Sequence, residues 1–122
     1  MDKTKELIIL SEKQKRAILI IKELLKEMNK DIKELMDFEK LKVGAEKVEA
    51  KAIRISKIAI ALQKSLDLKN GGTVATNLDH LYKHIRFAVT RVMDHNDYSY
   101  LTSAEKVTAE INKGWDKISS AA

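Results

Sequence analysis

Hydrophobic residues recur at alternating steps of three and four along most of this chain, the spacing of one face of an α-helix. The first stripe comprises Ile18, Ile21, Leu25, Met28, Ile32 and Leu35. The second comprises Ala45, Val48, Ala52, Ile55, Ala59, Leu62 and Leu66. The third comprises Leu78, Leu81, Ile85, Ala88 and Val92, and the fourth comprises Leu101, Ala104, Val107/Thr108, Ile111, Trp115 and Ile118. The pattern therefore predicts four amphipathic helices.

Short polar segments separate the four stripes. Gly44 is the first residue that can end the first helix, and the polar residues 94–97 follow the third. The strongest break is at residues 67–73, where Gly71 and Gly72 permit a left-handed residue after the second helix. Because amphipathic helices with short connections pack side by side in alternating directions, we expect an all-α, antiparallel up-and-down four-helix bundle.

Two polar residues are candidates for helix caps. Ser11 precedes the first stripe and has Gln14 three residues later, the spacing of a capping box. Thr73 follows the paired glycines and can cap the third helix. Both residues therefore predict where a helix begins.

The composition agrees with a small helical domain. The chain has 122 residues, four glycines, no proline and no cysteine. This length fits one domain covering residues 1–122, in which we expect residues 1–10 and 119–122 to be frayed. No apolar run is long enough for a membrane span, and the run at 7–10 is too short for a signal peptide. We therefore expect a cytoplasmic protein.

The net charge of +5 is spread along the chain rather than concentrated. Residues 1–57 carry 15 Lys and Arg against 11 Asp and Glu, with both signs mixed along the first helix. Nucleic-acid-binding proteins usually gather one sign of charge on a single face. The mixture favours a solvated helix surface and argues against a nucleic-acid partner.

No residue pattern indicates an active site. His80 and His84 are four apart, a spacing that can hold a metal ion, but no carboxylate-rich helix supplies further ligands. The chain has no phosphate-binding loop, and no carboxylate falls at an apolar helix position where burial would raise its pKa. We therefore expect no enzyme activity, no metal and no cofactor.

Some apolar residues lie beside the stripes. Ile53 and Ile60 each follow a small core alanine, Tyr82 and Val89 occupy matching positions on the third helix, and Phe87 points nearly opposite to the core. Wide apolar faces serve helices that have two neighbours, but they also form grooves that receive a partner helix. The second interpretation predicts a groove along the outer flank of the second and third helices, with these five residues as contacts.

An ordered set of residues also resembles a known family. The set comprises Ser65-Leu66-Asp67, Gly71-Gly72, Ala75, Asn77-Leu78, Leu81-Tyr82, Asp97, Leu101, Ile111 and Trp115. It is similar to the signature of the FliS family of flagellar secretion chaperones, and the resemblance covers about residues 48–118. The first third departs from the family pattern, since residues 1–21 contain no tyrosine and no proline. Phe87 stands where the family commonly has a basic residue.

The resemblance implies a non-enzymatic bacterial chaperone. Family members bind the C-terminal segment of flagellin, which wraps around the bundle and so cannot polymerise before export. Structural roles are also expected for the residues of the break before the third helix, Gly71 and Gly72, and for three residues of the predicted stripes, Leu78, Leu81 and Trp115. Trp115 is expected to anchor the core.

Three functional hypotheses stay open. The first is a flagellin chaperone, and the second is a co-chaperone of the same fold that binds another flagellar component or FliS itself. The third, from a different class, is a small basic bundle that binds nucleic acid or a metal ion.

Overall fold

The structure, a computed structural model, describes residues 12–121, with side chains through Asp116. It contains four helices: α1 (Glu12–Leu41), α2 (Ala45–Lys64), α3 (Gly72–His95) and α4 (Leu101–Ala121). No strand occurs in this part of the chain. The predicted all-α class is confirmed.

The helices form an antiparallel bundle in which each one packs against two others. α1 lies against α2 and α4, and α3 lies against the same two helices, with the smallest interface between α3 and α4. Lys22 pairs with Asp116 at 3.1 Å, and Lys33 pairs with Glu105 at 3.8 Å. Because residue numbers rise along α1 while those of their partners fall, α1 and α4 run in opposite directions.

The predicted stripes supply most of the core. On α1 the fully buried hydrophobic residues are Leu25, Met28, Ile32 and Leu35. On α2, Ala52 and Ala59 are also fully buried, and side chains this small let neighbouring helices approach closely. Each large side chain removed from water contributes about 1.5–3 kcal/mol, so the interior of the bundle provides most of the stabilisation.

The residues expected to have structural roles border this core. Leu78, Leu81 and Trp115 are partly buried and pack against it. On α4, Thr108 is fully buried and donates a hydrogen bond from its hydroxyl to the Ala104 carbonyl at 2.8 Å, while the neighbouring Val107 is only partly buried. The side chain of Ile118 lies outside the described residues.

The turn between α1 and α2 differs from the expected one. α1 ends at Leu41, and Lys42 takes the left-handed conformation with φ 54°. Gly44 instead precedes α2 in an extended conformation, as its N-cap residue. Ser11, the expected cap of α1, lies outside the described residues.

The two glycines before α3 have separate structural reasons. The Gly71 N–H donates to the Asp67 carbonyl at 2.7 Å, and a Cβ at Gly71 would lie 2.5 Å from both that oxygen and the Ala75 Cβ. Gly72 has φ +58°, which favours glycine. The left-handed glycine therefore begins α3 rather than ending α2, and Thr73 lies within the first turn of α3, not at its N-cap.

The turn between α3 and α4 is fixed by one carboxylate. Asn96 takes the left-handed conformation that ends α3, with φ 52°. Asp97 then accepts hydrogen bonds from the hydroxyl and backbone N–H of Ser99 and from the guanidinium of Arg91. The Ser99 hydroxyl, the Ser99 N–H and Arg91 together lower the pKa of Asp97 to about 2.

Candidate protein-binding surfaces

The outer face of α2 carries a row of alternating apolar and basic residues: Ile53, Lys57, Ile60 and Lys64. They are spaced by four, three and four positions, so they lie along one side of the helix. Ile53 is 38% exposed and Ile60 is partly exposed, while both lysines are exposed. We call these four residues the α2 row.

The boundary between the α2 row and α3 is polar. Gln63 donates to the Asp79 carboxylate at 3.0 Å and accepts from Arg86 at 2.8 Å. Asp79 also pairs with Lys83 at 2.9 Å. Hydrogen bonds from Lys83 and Gln63 lower the pKa of Asp79. These contacts hold α2 and α3 together without covering Ile53.

The opposite boundary of α2, against α1, is ionic. Asp31 is 2% exposed and pairs with Lys51 at 3.4 Å and with Arg54 at 3.0 Å. Glu34 pairs with Lys51 at 2.7 Å, and Glu27 pairs with Arg54 at 2.9 Å. The Glu34 hydrogen bond raises the pKa of Lys51, and the same bond lowers that of Glu34. Asp31, Glu34 and Glu27 of α1 are therefore engaged with these two cations.

The expectation that Tyr82 and Val89 lie on the outer flank is wrong. Tyr82 is 1% exposed and Val89 is fully buried, and both belong to the core. Burial raises the pKa of Tyr82 to about 12. The physical reason is that the buried arc of α3 extends beyond the predicted stripe to Tyr82 and Val89, while Leu81 within the stripe is only partly buried. The wide apolar face of α3 therefore serves packing within the bundle and does not form a groove for a partner helix.

Phe87 is exposed, as expected, but it belongs to a different surface. Its ring meets that of Tyr100 edge to face, with 5.0 Å between ring centroids and 73° between planes. The guanidinium of Arg91 lies 5.9 Å from the Tyr100 ring centroid. We call these three residues the aromatic patch. Sequence reasoning missed Tyr100, which stands in the turn before α4, where helical periodicity gives no direction.

A third apolar surface lies near the start of α1. Leu19 and Ile20 are 56% and 61% exposed, and with Leu24 they form a shallow depression of about 300 Å³. Glu23 and Glu27 complete its lining. These apolar side chains near the start of α1 therefore lie at the surface of the bundle.

The histidines form no metal site in the part of the chain described. No group of three or more histidine, aspartate and glutamate side chains there could hold a metal ion. The His84 ring is hydrogen-bonded to the Ser103 hydroxyl, and His80 is exposed. His84 therefore connects α3 to α4.

Comparison with known families gives a match over nearly the whole chain. Residues 13–122 match the family model described as flagellar protein FliS. No solved structure is significantly similar. Within the described residues, no helix is long and apolar enough to cross a membrane.

Two curated relatives carry chaperone names. The flagellar secretion chaperone FliSB of Pseudomonas aeruginosa is 35% identical over 77 residues, 61% of this chain and 61% of that protein. The flagellar secretion chaperone FliS of Vibrio cholerae is 34% identical over 61 residues, 50% of this chain and 45% of that protein. The matched region thus spans about half to three fifths of these relatives.

Proposed function

The chain belongs to the FliS family, and from this premise we propose that it is a flagellar export chaperone that binds the C-terminal segment of flagellin and prevents premature polymerisation. The observation that supports the proposal most directly is the partial exposure of Ile53 and Ile60, seven residues apart on the outer face of α2. The names of the two relatives support the same assignment.

The α2 row can hold a short helix. Ile53 and Ile60 are seven residues apart, about 10 Å along the helix axis. An amphipathic helix that docks against such an edge places apolar anchors at i, i+3 or i+4, and i+7. A segment that is disordered when free pays its ordering entropy on binding, which leaves the complex reversible. Reversibility suits a client that must later be released to the export machinery in the cytoplasm.

The experiment is calorimetric titration of the chain with a peptide of the flagellin C-terminal segment. Ile53→Ser and Ile60→Ser should each weaken binding by about 2 kcal/mol if these side chains are interface hot spots. Leu41→Ser is the matched control, because Leu41 is 71% exposed at the end of α1 and lies outside the α2 row. Circular dichroism should show an unchanged helical content for all three variants.

Two outcomes would contradict this assignment. If the parent chain does not bind the flagellin peptide, the client is not flagellin. If the parent binds but the Ile53 and Ile60 variants bind as well as the control, the client lies elsewhere on the bundle.

A second candidate is a co-chaperone that binds another flagellar component. The aromatic patch favours it, because an exposed Phe87 and Tyr100 beside an arginine have the composition of interface hot spots. A Phe87→Ser variant that keeps flagellin binding while losing a second flagellar protein in co-purification would support this function.

A further inference from the structure

The sequence of α2 separates its charges unusually. Glu46 and Glu49 stand in the first two turns, whereas residues 50–64 contain four cations and no acid. Most of α2 is therefore a basic helix, although the charges of the whole chain are mixed. The positions of these four cations decide what the surface can bind.

The structure divides the four cations into two pairs. Lys51 and Arg54 face α1, where Asp31, Glu27 and Glu34 neutralise them. Lys57 and Lys64 lie in the α2 row, are exposed, and form no ion pair with any described residue. The helix thus uses one pair of cations internally and presents the other to solvent.

The α3 side adds no free carboxylate to the α2 row. Asp79 is already engaged by Lys83 and Gln63, and Arg86 donates to Gln63 without an acidic partner among the described residues. The row is therefore bordered by a further positive charge. Ile53 precedes Lys57 in the row and the partly exposed Ile60 lies between Lys57 and Lys64, and neither lysine has an acidic partner among the described residues.

We propose that the α2 row docks an amphipathic helix in which carboxylates flank the apolar anchors. This inference rests on the proposed chaperone function and deepens it by naming the chemistry of the client segment. The row from Ile53 to Lys64 is about 17 Å long, enough for about three turns of a partner helix. Leucine-like anchors cover Ile53 and Ile60, and the carboxylates pair with Lys57 and Lys64.

The alternation of residue types favours a peptide over a nucleic acid. A phosphate backbone would neutralise the lysines but would leave the intervening isoleucines without an apolar partner. An acidic amphipathic helix satisfies both kinds of residue at once. Rim charges of this kind chiefly set the association rate and the choice of partner.

The test uses two synthetic helical peptides that share one pattern of leucine anchors. One carries glutamates beside the anchors, and the other carries lysines at the same positions. We expect the parent chain to bind the glutamate peptide more tightly by about tenfold or more, and to lose part of this preference at high salt. Fluorescence anisotropy of labelled peptides measures both affinities.

Charge reversal of the α2 row should reverse this preference. The Lys57→Glu, Lys64→Glu double variant should weaken binding of the glutamate peptide and strengthen binding of the lysine peptide. The matched control reverses Lys26 on α1 and Lys106 on α4, which are exposed, lie outside the α2 row and, like Lys57 and Lys64, form no ion pair with any described residue. This control changes the net charge by the same amount as the double variant, and it should keep the parent chain's preference for the glutamate peptide.

Several outcomes would overturn the inference. Equal affinity of the parent for both peptides excludes a charge-selective surface. If the control loses as much affinity for the glutamate peptide as the double variant does, only the net charge of the chain matters. Tighter binding of a DNA duplex, with the same dependence on Lys57 and Lys64, assigns the row to nucleic acid.

Failure of this inference differs from failure of the proposed function. If the flagellin peptide binds but charge reversal has no effect, the chaperone function stands and the acidic client chemistry is wrong. If the glutamate peptide binds through the α2 row while the flagellin peptide does not bind, the α2 row is a docking site for acidic helices and the client is a protein other than flagellin.

Discussion

α2 and α3 carry apolar pairs with the same sequence signature and opposite placement. Ile53 and Ile60 on α2, like Tyr82 and Val89 on α3, are seven residues apart and each follows a residue of the predicted stripe. The isoleucines are partly exposed, whereas Tyr82 and Val89 are buried. The same pattern thus marks a surface edge on one helix and the core on its neighbour.

The difference comes from where each stripe lies within the buried arc of its helix. On α2, the stripe through Ala52 and Ala59 is central, so the next residue turns outward. On α3, Leu81 is only partly buried, and the arc extends towards Tyr82. A residue one position after an off-centre stripe therefore still faces the interior. The exposure of a side chain therefore depends on its distance from the centre of the buried arc of its helix, and not on its distance from the predicted stripe.

The largest expected effect tests this comparison through stability. Tyr82→Ala should lower the free energy of unfolding by about 3–5 kcal/mol, the usual cost of removing a large buried aromatic side chain. Ile53→Ser, at a partly exposed site, should cost less than about 1 kcal/mol. Urea denaturation followed by circular dichroism measures both. Equal losses would show that the two pairs share one environment.

A smaller effect tests the boundary between the two pairs. Gln63→Ala removes the hydrogen bonds to Asp79 and from Arg86, and should destabilise the chain by about 1–2 kcal/mol. Thr102→Ala on α4 is the control, because Thr102 is exposed and lies on neither of the two helices that form this boundary. If the two alanine variants are equally stable, the polar boundary does not hold α2 against α3.

The smallest expected effect concerns pH. The pKa of Asp79 is lowered below its usual 3.8, so its contribution to stability is fully present above that value and is lost as pH falls through the lowered pKa. Asp79→Asn should therefore flatten the acid side of the stability profile. Thermal unfolding from pH 5 downward measures the profile, and an unchanged acid slope in the variant would contradict this role.

Periodicity predicted the helices well because helical burial repeats with the backbone. The core positions Leu25, Ile55 and Leu101 follow directly from steps of three and four. The exposure of Phe87 was also predicted, because this residue lies far from any stripe, but its packing against Tyr100 was not. Periodicity gives the relative directions of residues on one helix.

The remaining features depend on contacts between elements. Lys42 takes the left-handed conformation although Gly44 stands two residues later, and the following Val43 donates to the Phe38 carbonyl at 3.1 Å and packs against the core. Acids of α1 neutralise Lys51 and Arg54 but not Lys57. This difference depends on the register of α1 against α2. No local pattern contains that register.

The pairing of α1 with α4 has a consequence for folding kinetics. The hydrogen bond from Asn29 to Glu105 joins residues 76 positions apart, whereas Gln63 and Asp79 on α2 and α3 are only 16 apart. Closing the larger loop costs more chain entropy and delays contact formation. The α2–α3 hairpin should therefore form early, and closure of α1 onto α4 should limit the refolding rate.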